Sequence, residues 1–173
     1  MWWRSSALIA ALFAGLAALA LAGCGFQPLY GGTTAGGAKL AEVMASVEIT
    51  PIPGRVGQKL RNELIFANTG GGYASPTRYR LNIVIKESVT DELVQITGDA
   101  TGQIYQLHAT FKLVDSASGK IVLQGKGIAR APYNRFQEIF ANIRARYDAE
   151  NRAARSVADS LRTQVAAFLA NAA

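Results

Sequence analysis

Residues 105–113 read Tyr-Gln-Leu-His-Ala-Thr-Phe-Lys-Leu, in which apolar and polar side chains alternate without a break. Because successive side chains of a strand point to opposite faces, this stretch predicts a strand with one buried and one solvent-exposed face. The same alternation occurs over residues 79–86 and 121–131. Turn-forming residues at 97–102 and 115–119 separate the three stretches, so we predict an antiparallel meander.

The third strand of this meander has an inward face made largely of small residues. The positions that share this face are Ile121, Leu123, Gly125, Gly127, Ala129 and Ala131. A glycine within a strand often marks a place where another part of the backbone approaches closely. We therefore expect a helix to pack tightly against the third strand.

Apolar residues at helical spacing predict two helices, one before and one after the meander. The first runs from Gly54 to about Asn68, and its apolar face consists of Val56, Leu60, Leu64 and Ala67. The second follows Phe136 and is roughly 30 residues long, with one gap in its apolar face near Glu150. That face consists of Phe140, Ile143, Tyr147, Ala154, Val157, Leu161, Val165 and Phe168.

A fourth candidate strand, over Val43–Ile52, precedes the first helix and gives the element order β-α-β-β-β-α. The β-α-β start implies a parallel strand pair joined by a right-handed crossover. Each strand has one polar face, so helices are expected on only one side of the sheet. We predict a single α+β domain over residues 43–173, a four-stranded mixed sheet with two helices packed on one face.

The N-terminus has the three parts of a secretory signal peptide over residues 1–23. Arg4 supplies the positive start, Leu8–Leu21 is an apolar run, and small residues follow. A permanent transmembrane helix needs about 20 apolar residues, so cleavage is favoured over the alternative, an uncleaved N-terminal anchor. Cleavage leaves 150 of the 173 residues, enough for one core and too few to expect two domains.

Cys24 is the only cysteine, so it has no partner for an internal disulfide. It ends the sequence Leu21-Ala22-Gly23-Cys24, which resembles the bacterial lipobox, where the signal is cut before an acylated cysteine. Residues 24–42 are then a lipid-anchored segment that includes a Gly-rich linker. Gly25 stands where an Asp favours inner-membrane retention, which indicates the periplasmic side of the outer membrane.

No catalytic constellation is recognisable in the sequence. His108, the only histidine, lies in mid-strand on the polar face, and no pattern nominates a partner for general-base catalysis. No His, Asp or Glu cluster has the spacing of metal ligands. The run 70–72 is Gly-Gly-Gly without the Lys-Ser/Thr of a phosphate loop. We therefore expect neither enzymatic activity nor a cofactor or metal.

Six basic residues project from the predicted solvent face of the sheet: Arg78, Arg80, Lys86, Lys112, Lys126 and Arg130. Apolar side chains lie between them, and such a mixed face can hold an amphiphile with anionic head groups. The alternative is that these charges only solvate the sheet. Nucleic acid is a poor partner, because the mature chain, at +5 after loss of Arg4, is tethered outside the cytoplasm and not dense in Lys and Arg.

Two motifs flank the start of the predicted domain: Cys24-Gly25-Phe26-Gln27-Pro28-Leu29-Tyr30 at the lipidation site and Arg-Val-Gly-Gln-Lys-Leu-Arg-Asn-Glu-Leu over residues 55–64. With the meander and the long C-terminal helix, they resemble the LPS-assembly lipoprotein LptE family in its alphaproteobacterial form. The resemblance implies two helices on a four-stranded sheet and a position as a plug inside the outer-membrane β-barrel LptD. It also implies a role in assembling that barrel and in binding lipopolysaccharide during its insertion into the outer leaflet.

Strand geometry makes Lys112, Lys126 and Arg130 the candidate contacts for lipopolysaccharide, whose phosphates and acidic sugars are anionic. The turn Thr97–Gly102 is, from its position alone, a candidate contact with the barrel wall. The alternative function is an unrelated periplasm-facing lipoprotein that binds a small amphiphile or acts as an assembly adaptor. That alternative predicts a stable free monomer with a closed apolar pocket.

Overall fold

A computed structural model describes residues 33–34, 36–72, 75–94 and 100–172 of the chain. The elements are α1 (Leu40–Ala45), β1 (Val47–Ile49), α2 (Gly54–Thr69), β2 (Tyr79–Val94), β3 (Ala100–Asp115), β4 (Ile121–Asn134) and α3 (Ile139–Ala172). The strands form one sheet in the order β1-β2-β3-β4, with the first pair parallel and the others antiparallel. The predicted α+β fold is confirmed, with a third, short helix added. Among the described residues, no helix is both long and apolar enough to span a bilayer.

The predicted strand over Val43–Ile52 is wrong in its first part, because residues 40–45 form the helix α1. Leu40, Val43 and Met44 are buried at spacings of three and four, which places them on one helical face. The strand β1 has three residues, and it pairs in parallel with the start of β2. The crossover from β1 through α2 to β2 therefore exists as predicted, with a shorter first strand.

The strands β2 and β3 pair along almost their whole length. The strand β2 continues past the alternating stretch 79–86 and pairs with β3 through residues 88–92. The turn predicted at 97–102 is wrong for its last three residues, because Ala100 and Gly102 pair with β2 and belong to β3. Residues 97–99 lie outside the described part of the chain. The strand pair therefore extends further than the sequence pattern indicated.

The predicted hairpin connection at 115–119 is confirmed, and Asp115 organises it. Its carboxylate accepts hydrogen bonds from the backbone N–H groups of Ala117 at 3.1 Å and Ser118 at 2.7 Å. The Ser118 hydroxyl donates a third, at 2.9 Å. These bonds favour the ionised carboxylate and hold the pKa of Asp115 below its ordinary value, the backbone N–H of Ser118 contributing most.

A β-bulge at the start of β4 changes which side chains face the core. Leu113 pairs with Leu123 and Val114 pairs with Ile121, so Val122 has no partner of its own on β3. Because the extra residue shifts the alternation, Ile121 is exposed and Val122 packs against the core. The inward orientation predicted for Ile121 is therefore wrong, whereas the small residues from Gly127 to Ala131 do face inward.

The long helix α3 packs closely on β4, as the glycines of that strand predicted. A Cβ added at Gly127 would overlap the Cδ1 atom of Leu161, and a Cβ at Gly125 would lie 2.7 Å from Oε1 of Gln164. The Gln164 amide also donates a hydrogen bond to the Lys126 carbonyl at 3.1 Å. At Gly125 and Gly127, only a residue without a side chain leaves room for the helix at its observed distance.

The gap in the apolar face of α3 near Glu150 contains a buried ion-pair cluster. Glu150 is 5% exposed, and its carboxylate accepts hydrogen bonds from Arg146 at 2.9 Å and from Arg55 of α2. The Arg55 guanidinium also lies over the Tyr147 ring, 4.4 Å from its centroid. The cluster therefore links the start of α2 to α3.

We expect Glu150→Ala to lower the free energy of unfolding by about 2 kcal/mol, because two arginines then lose the charge that neutralises them. This figure is below the range for fully buried pairs because the Arg55 and Arg146 side chains are 44% and 54% exposed, and solvent screens them. Urea denaturation measures the change. Asp148→Ala is the control, since its pair with Arg152 is exposed. Equal losses in the two variants would contradict a special role for Glu150.

Candidate functional site

The face of the sheet away from the helices is open and mostly polar. No described helix covers it, because α2 and α3 pack on the other side, where the apolar residues of the strands are buried. The outward positions of the three long strands include Arg80, Asn82, Val84, Lys86, Gln106, His108, Thr110, Lys112, Gln124, Lys126, Ile128 and Arg130. All of these are exposed except Gln106, which is half-buried.

Strand register brings two of the three predicted contact residues together. Lys112 pairs with Gln124, and the neighbouring outward pair is Thr110 with Lys126. Lys112 and Lys126 are therefore diagonal neighbours, a relation that separates Cβ atoms by roughly 7–8 Å. Arg130 pairs with Gln106, four residues further along β4, which is about 13 Å away along the strand. It shares the face but not the same local site.

Two open depressions cross this face and meet at Val84 and Thr110. The first, of about 550 Å³, is lined by Asn82, Val84, Thr110, Phe111, Lys112, Gln124, Gly125 and Lys126. The second, of about 520 Å³, is lined by Val84, Lys86, Glu87, Ser88, His108 and Thr110. Together they form a shallow surface with an apolar centre and a lysine on each side.

The cations of this surface have no acidic partners among the described residues. Lys86, Lys112, Lys126 and Arg130 make no ion pair there, and the one carboxylate that lines the two depressions, Glu87, accepts the hydrogen bond of the Tyr105 hydroxyl. Arg80, by contrast, pairs with Glu48 at 3.3 Å. We call Lys86, Lys112, Lys126 and Arg130 the basic face. Unneutralised cations around an apolar centre can bind a ligand that carries both anionic groups and hydrocarbon.

Lys86 is the residue that sequence reasoning left out of the candidate contacts. The sequence pattern identified Lys86 as basic and outward-facing. Only the strand register shows that it lines the depression next to the one that Lys112 and Lys126 line. The proximity of Lys86 to the other two lysines follows from the register of the β2–β3 hairpin. That register can be predicted only when the ends of both strands are known. His108 pairs with Lys86 on this face and makes no hydrogen bond with a described side chain.

The described residues contain no group of three His, Cys, Asp or Glu side chains that could hold a metal ion. Tyr105 is a buried titratable residue on the inner face, where its hydroxyl donates a hydrogen bond to Glu87 at 2.7 Å. Burial, reinforced by this hydrogen bond and by the nearby negative charge, raises the pKa of Tyr105 well above its ordinary value. Tyr105 therefore stays neutral at any physiological pH, and its buried ring packs in the core on the inner face of the sheet.

A smaller cavity of about 210 Å³ lies where α1 meets the end of α2 and Arg162 of α3. Its lining includes Leu40, Met44, Asn68 and Arg162. Ligand pockets for small molecules usually measure about 300–1,000 Å³, so this cavity is small for an amphiphile. It does not favour the alternative function, which requires a closed apolar pocket.

No protein-family model and no curated protein sequence matches the chain. Solved structures do match. A candidate lipoprotein from Caulobacter crescentus has a TM-score of 0.63 and 26% identity, over 77% of this chain and 96% of that one. Rare lipoprotein B from Shewanella oneidensis has a TM-score of 0.53 and 13% identity, over 70% and 93% of the two chains. A minor lipoprotein from Acinetobacter baumannii has a TM-score of 0.50 and 14% identity, over 72% and 94%.

These similarities show that the chain has a fold found among bacterial lipoproteins. The fold is LptE-like, with helices on one side of a four-stranded mixed sheet, as the resemblance implied. Cys24, the predicted lipidation site, lies outside the described residues. The fold is one found among lipoproteins, which is consistent with the lipobox. It does not test whether Cys24 is acylated.

Proposed function

We propose that the chain is an outer-membrane lipoprotein that plugs and helps assemble an LptD-type β-barrel and binds lipopolysaccharide. The observation that carries the proposal is the basic face, a set of unneutralised cations around an apolar centre on a domain with a lipoprotein fold. The proposed role is one of binding and assembly, without catalysis. The protein acts at the periplasmic side of the outer membrane, anchored through Cys24.

The chemistry of lipopolysaccharide suits this surface. Its lipid A carries phosphates and hydrocarbon side by side, and its core carries acidic sugars. Lys112 and Lys126 are spaced so that each can contact an oxygen of one anionic group, while Val84 offers an apolar contact between them and Lys86. Charge-assisted hydrogen bonds of this kind are shorter and stronger than neutral ones.

We expect the double variant Lys112→Glu/Lys126→Glu to bind purified lipopolysaccharide roughly tenfold more weakly, since ion pairs of exposed lysines contribute about 0.2–1 kcal/mol each and each glutamate adds repulsion. The loss is larger at low salt, where surface charges are less screened. Equilibrium binding to the mature protein measures it. Arg130→Glu has a smaller effect because Arg130 lies further along β4.

Lys120→Glu is the matched control for this experiment. Lys120 is exposed in the β3–β4 hairpin, away from the basic face, and the variant changes the net charge by the same amount per residue. A loss of affinity equal to half that of the double variant would show that only net charge matters. Unchanged affinity in the double variant would remove the basic face from the binding site.

A further inference from the structure

The described part of the chain begins next to the small cavity beside α1. Thr34 is 4% exposed, and its backbone N–H donates a hydrogen bond to the Ala38 carbonyl at 2.8 Å. This tight turn pairs Thr33 with Lys39 in an antiparallel bridge, which places their Cα atoms about 5 Å apart. Lys39 directly precedes Leu40, which lines the cavity. The segment that leads from Cys24 to Thr33 therefore joins the domain beside the cavity.

The cavity combines apolar walls with a buried hydrogen-bond acceptor. Leu40, Met44 and Ala67 supply apolar side chains from α1 and α2, and the cavity is partly open to solvent. Asn68 also lines it, is 8% exposed, and accepts no hydrogen bond at its Oδ1 atom among the described residues. Buried polar atoms in folded proteins nearly always have a partner, because an unpaired one is costly. The Oδ1 atom therefore needs a donor.

The side chains around the cavity favour an aromatic ring that carries a hydroxyl group. The thioether of Met44 packs well against aromatic rings, and the planar guanidinium of Arg162 can stack on them. A hydroxyl can donate to the amide oxygen of Asn68. An apolar cavity of about 150 Å³ is large enough to bind benzene. This cavity measures about 210 Å³, so it has room for one phenol ring.

We propose that the side chain of Tyr30 occupies this cavity and that its hydroxyl donates a hydrogen bond to Oδ1 of Asn68. Tyr30 is the one residue between Cys24 and Gly32 that has both an aromatic ring and a hydroxyl. It precedes Thr33 by three residues, so their Cα atoms are at most about 11 Å apart. The Cα atom of Leu40, in the cavity wall, is at most about 9 Å from that of Thr33. The cavity is therefore within reach of Tyr30.

Docking of Tyr30 shortens the tether between the lipid and the domain. The nine residues from Cys24 to Thr33 span at most about 32 Å when they are extended, whereas the six from Cys24 to Tyr30 span at most about 22 Å. The docked ring thereby holds the α1 end of the domain closer to the membrane in which the proposed barrel lies. This consequence rests on acylation of Cys24, part of the function proposed above, but the docking itself does not.

A single methionine makes the wall of the cavity observable by NMR. Met44 lines the cavity, and the only other methionine, Met1, lies in the expected signal peptide. Isotopic labelling of the methionine methyl group of the mature chain therefore gives one methyl signal. The chain used is Cys24→Ser, exported with a signal that is cleaved without acylation. Because it carries no lipid and meets no barrel, failure of the docking and failure of the proposed function are distinguishable.

We expect the Met44 methyl group to show nuclear Overhauser contacts with tyrosine ring protons that are lost in Tyr30→Leu. The methyl signal itself shifts in this variant, because the ring current of the docked tyrosine disappears. Tyr73→Leu is the matched control, since Tyr73 follows the cavity residue Gly70 by three positions and is the competing occupant. Tyr30→Phe keeps the ring contacts but shifts the side-chain amide signal of Asn68, because the donor to Oδ1 is gone.

Three results would overturn the proposal. The ring contacts could be lost in Tyr73→Leu, which would identify the loop after α2 as the occupant. They could persist in Tyr30→Leu, or the Met44 methyl group could show no contact with a tyrosine ring in the unsubstituted segment. An unmoved Asn68 amide signal in Tyr30→Phe would overturn the proposed hydrogen bond.

Discussion

We expect the Cys24→Ser chain, exported with a signal that is cleaved without acylation, to lose almost all binding to pure lipid vesicles, which contain no β-barrel that could retain it. Each buried CH₂ group of an acyl chain contributes about 0.8 kcal/mol to membrane binding, and one chain alone gives only marginal binding. The two or three chains of an acylated cysteine therefore hold a protein almost permanently, whereas serine carries none. Sedimentation of the vesicles after a salt wash, which removes weak interfacial contacts, measures the change.

Gly25→Asp with the native signal is the control for this experiment, because it keeps the acylated cysteine and so keeps the protein in the membrane. The fractions of this variant found in the inner and outer membranes test the sorting role predicted for Gly25. Mass spectrometry of the wild-type protein completes the test. A purified protein that still contains residues 1–23 would establish the uncleaved anchor and contradict the lipoprotein prediction.

Gly127→Val is expected to destabilise the fold more than any other single substitution on β4. A Cβ at Gly127 already overlaps Leu161, and it lies 3.4 Å from Cγ1 of Val157. Leu161 and Val157 are both fully buried, so their packed neighbours oppose any shift of either side chain. Overpacking a core costs typically 1–3 kcal/mol, and we expect a loss of about 3 kcal/mol here because valine adds two further methyl groups.

The shift in the urea denaturation midpoint measures this loss. Ile128→Val is the matched control, since Ile128 is the next residue of the same strand and points outward with half its side chain exposed. Surface substitutions of this kind usually change stability by less than about 0.5 kcal/mol. If Gly127→Val were as stable as the wild type, α3 would not pack on β4 as closely as described.

The three long strands are predictable from sequence because each has one buried and one solvent-exposed face. The alternation of Tyr105 to Leu113 reports that environment directly, and each apolar member of it is buried. The bulge at Val122 is not predictable in this way, because it depends on where β4 begins to pair with β3. Likewise α1 was missed since six residues are too few to show a helical period clearly.

The long helix shows the limit of reading a core from periodicity. Its apolar face runs from Phe140 to Phe168, but only the part next to β4 and α2 is covered, because α2 begins beside Glu150. Periodicity reports which residues share a face and says nothing about how far the neighbouring element extends. The gap near Glu150 was visible in the sequence, but its partner Arg55 lies 95 residues away.

The sequence predicts which basic residues point outward from the sheet, but it does not predict which of them are neighbours. Alternation alone places Lys112, Lys126 and Arg130 on the outer side of the sheet. Which of them are neighbours depends on the register of β3 and β4, and that register is shifted by the bulge. The predicted contact between the barrel wall and the turn at 97–102 stays a prediction, because residues 97–99 lie outside the described part of the chain.

The most direct test of the proposed function is to isolate the tagged, acylated protein from outer membranes solubilised in mild detergent and to identify what accompanies it. We predict a large outer-membrane β-barrel in near-stoichiometric amount. A protein that is recovered alone under these conditions would contradict the role as a barrel plug.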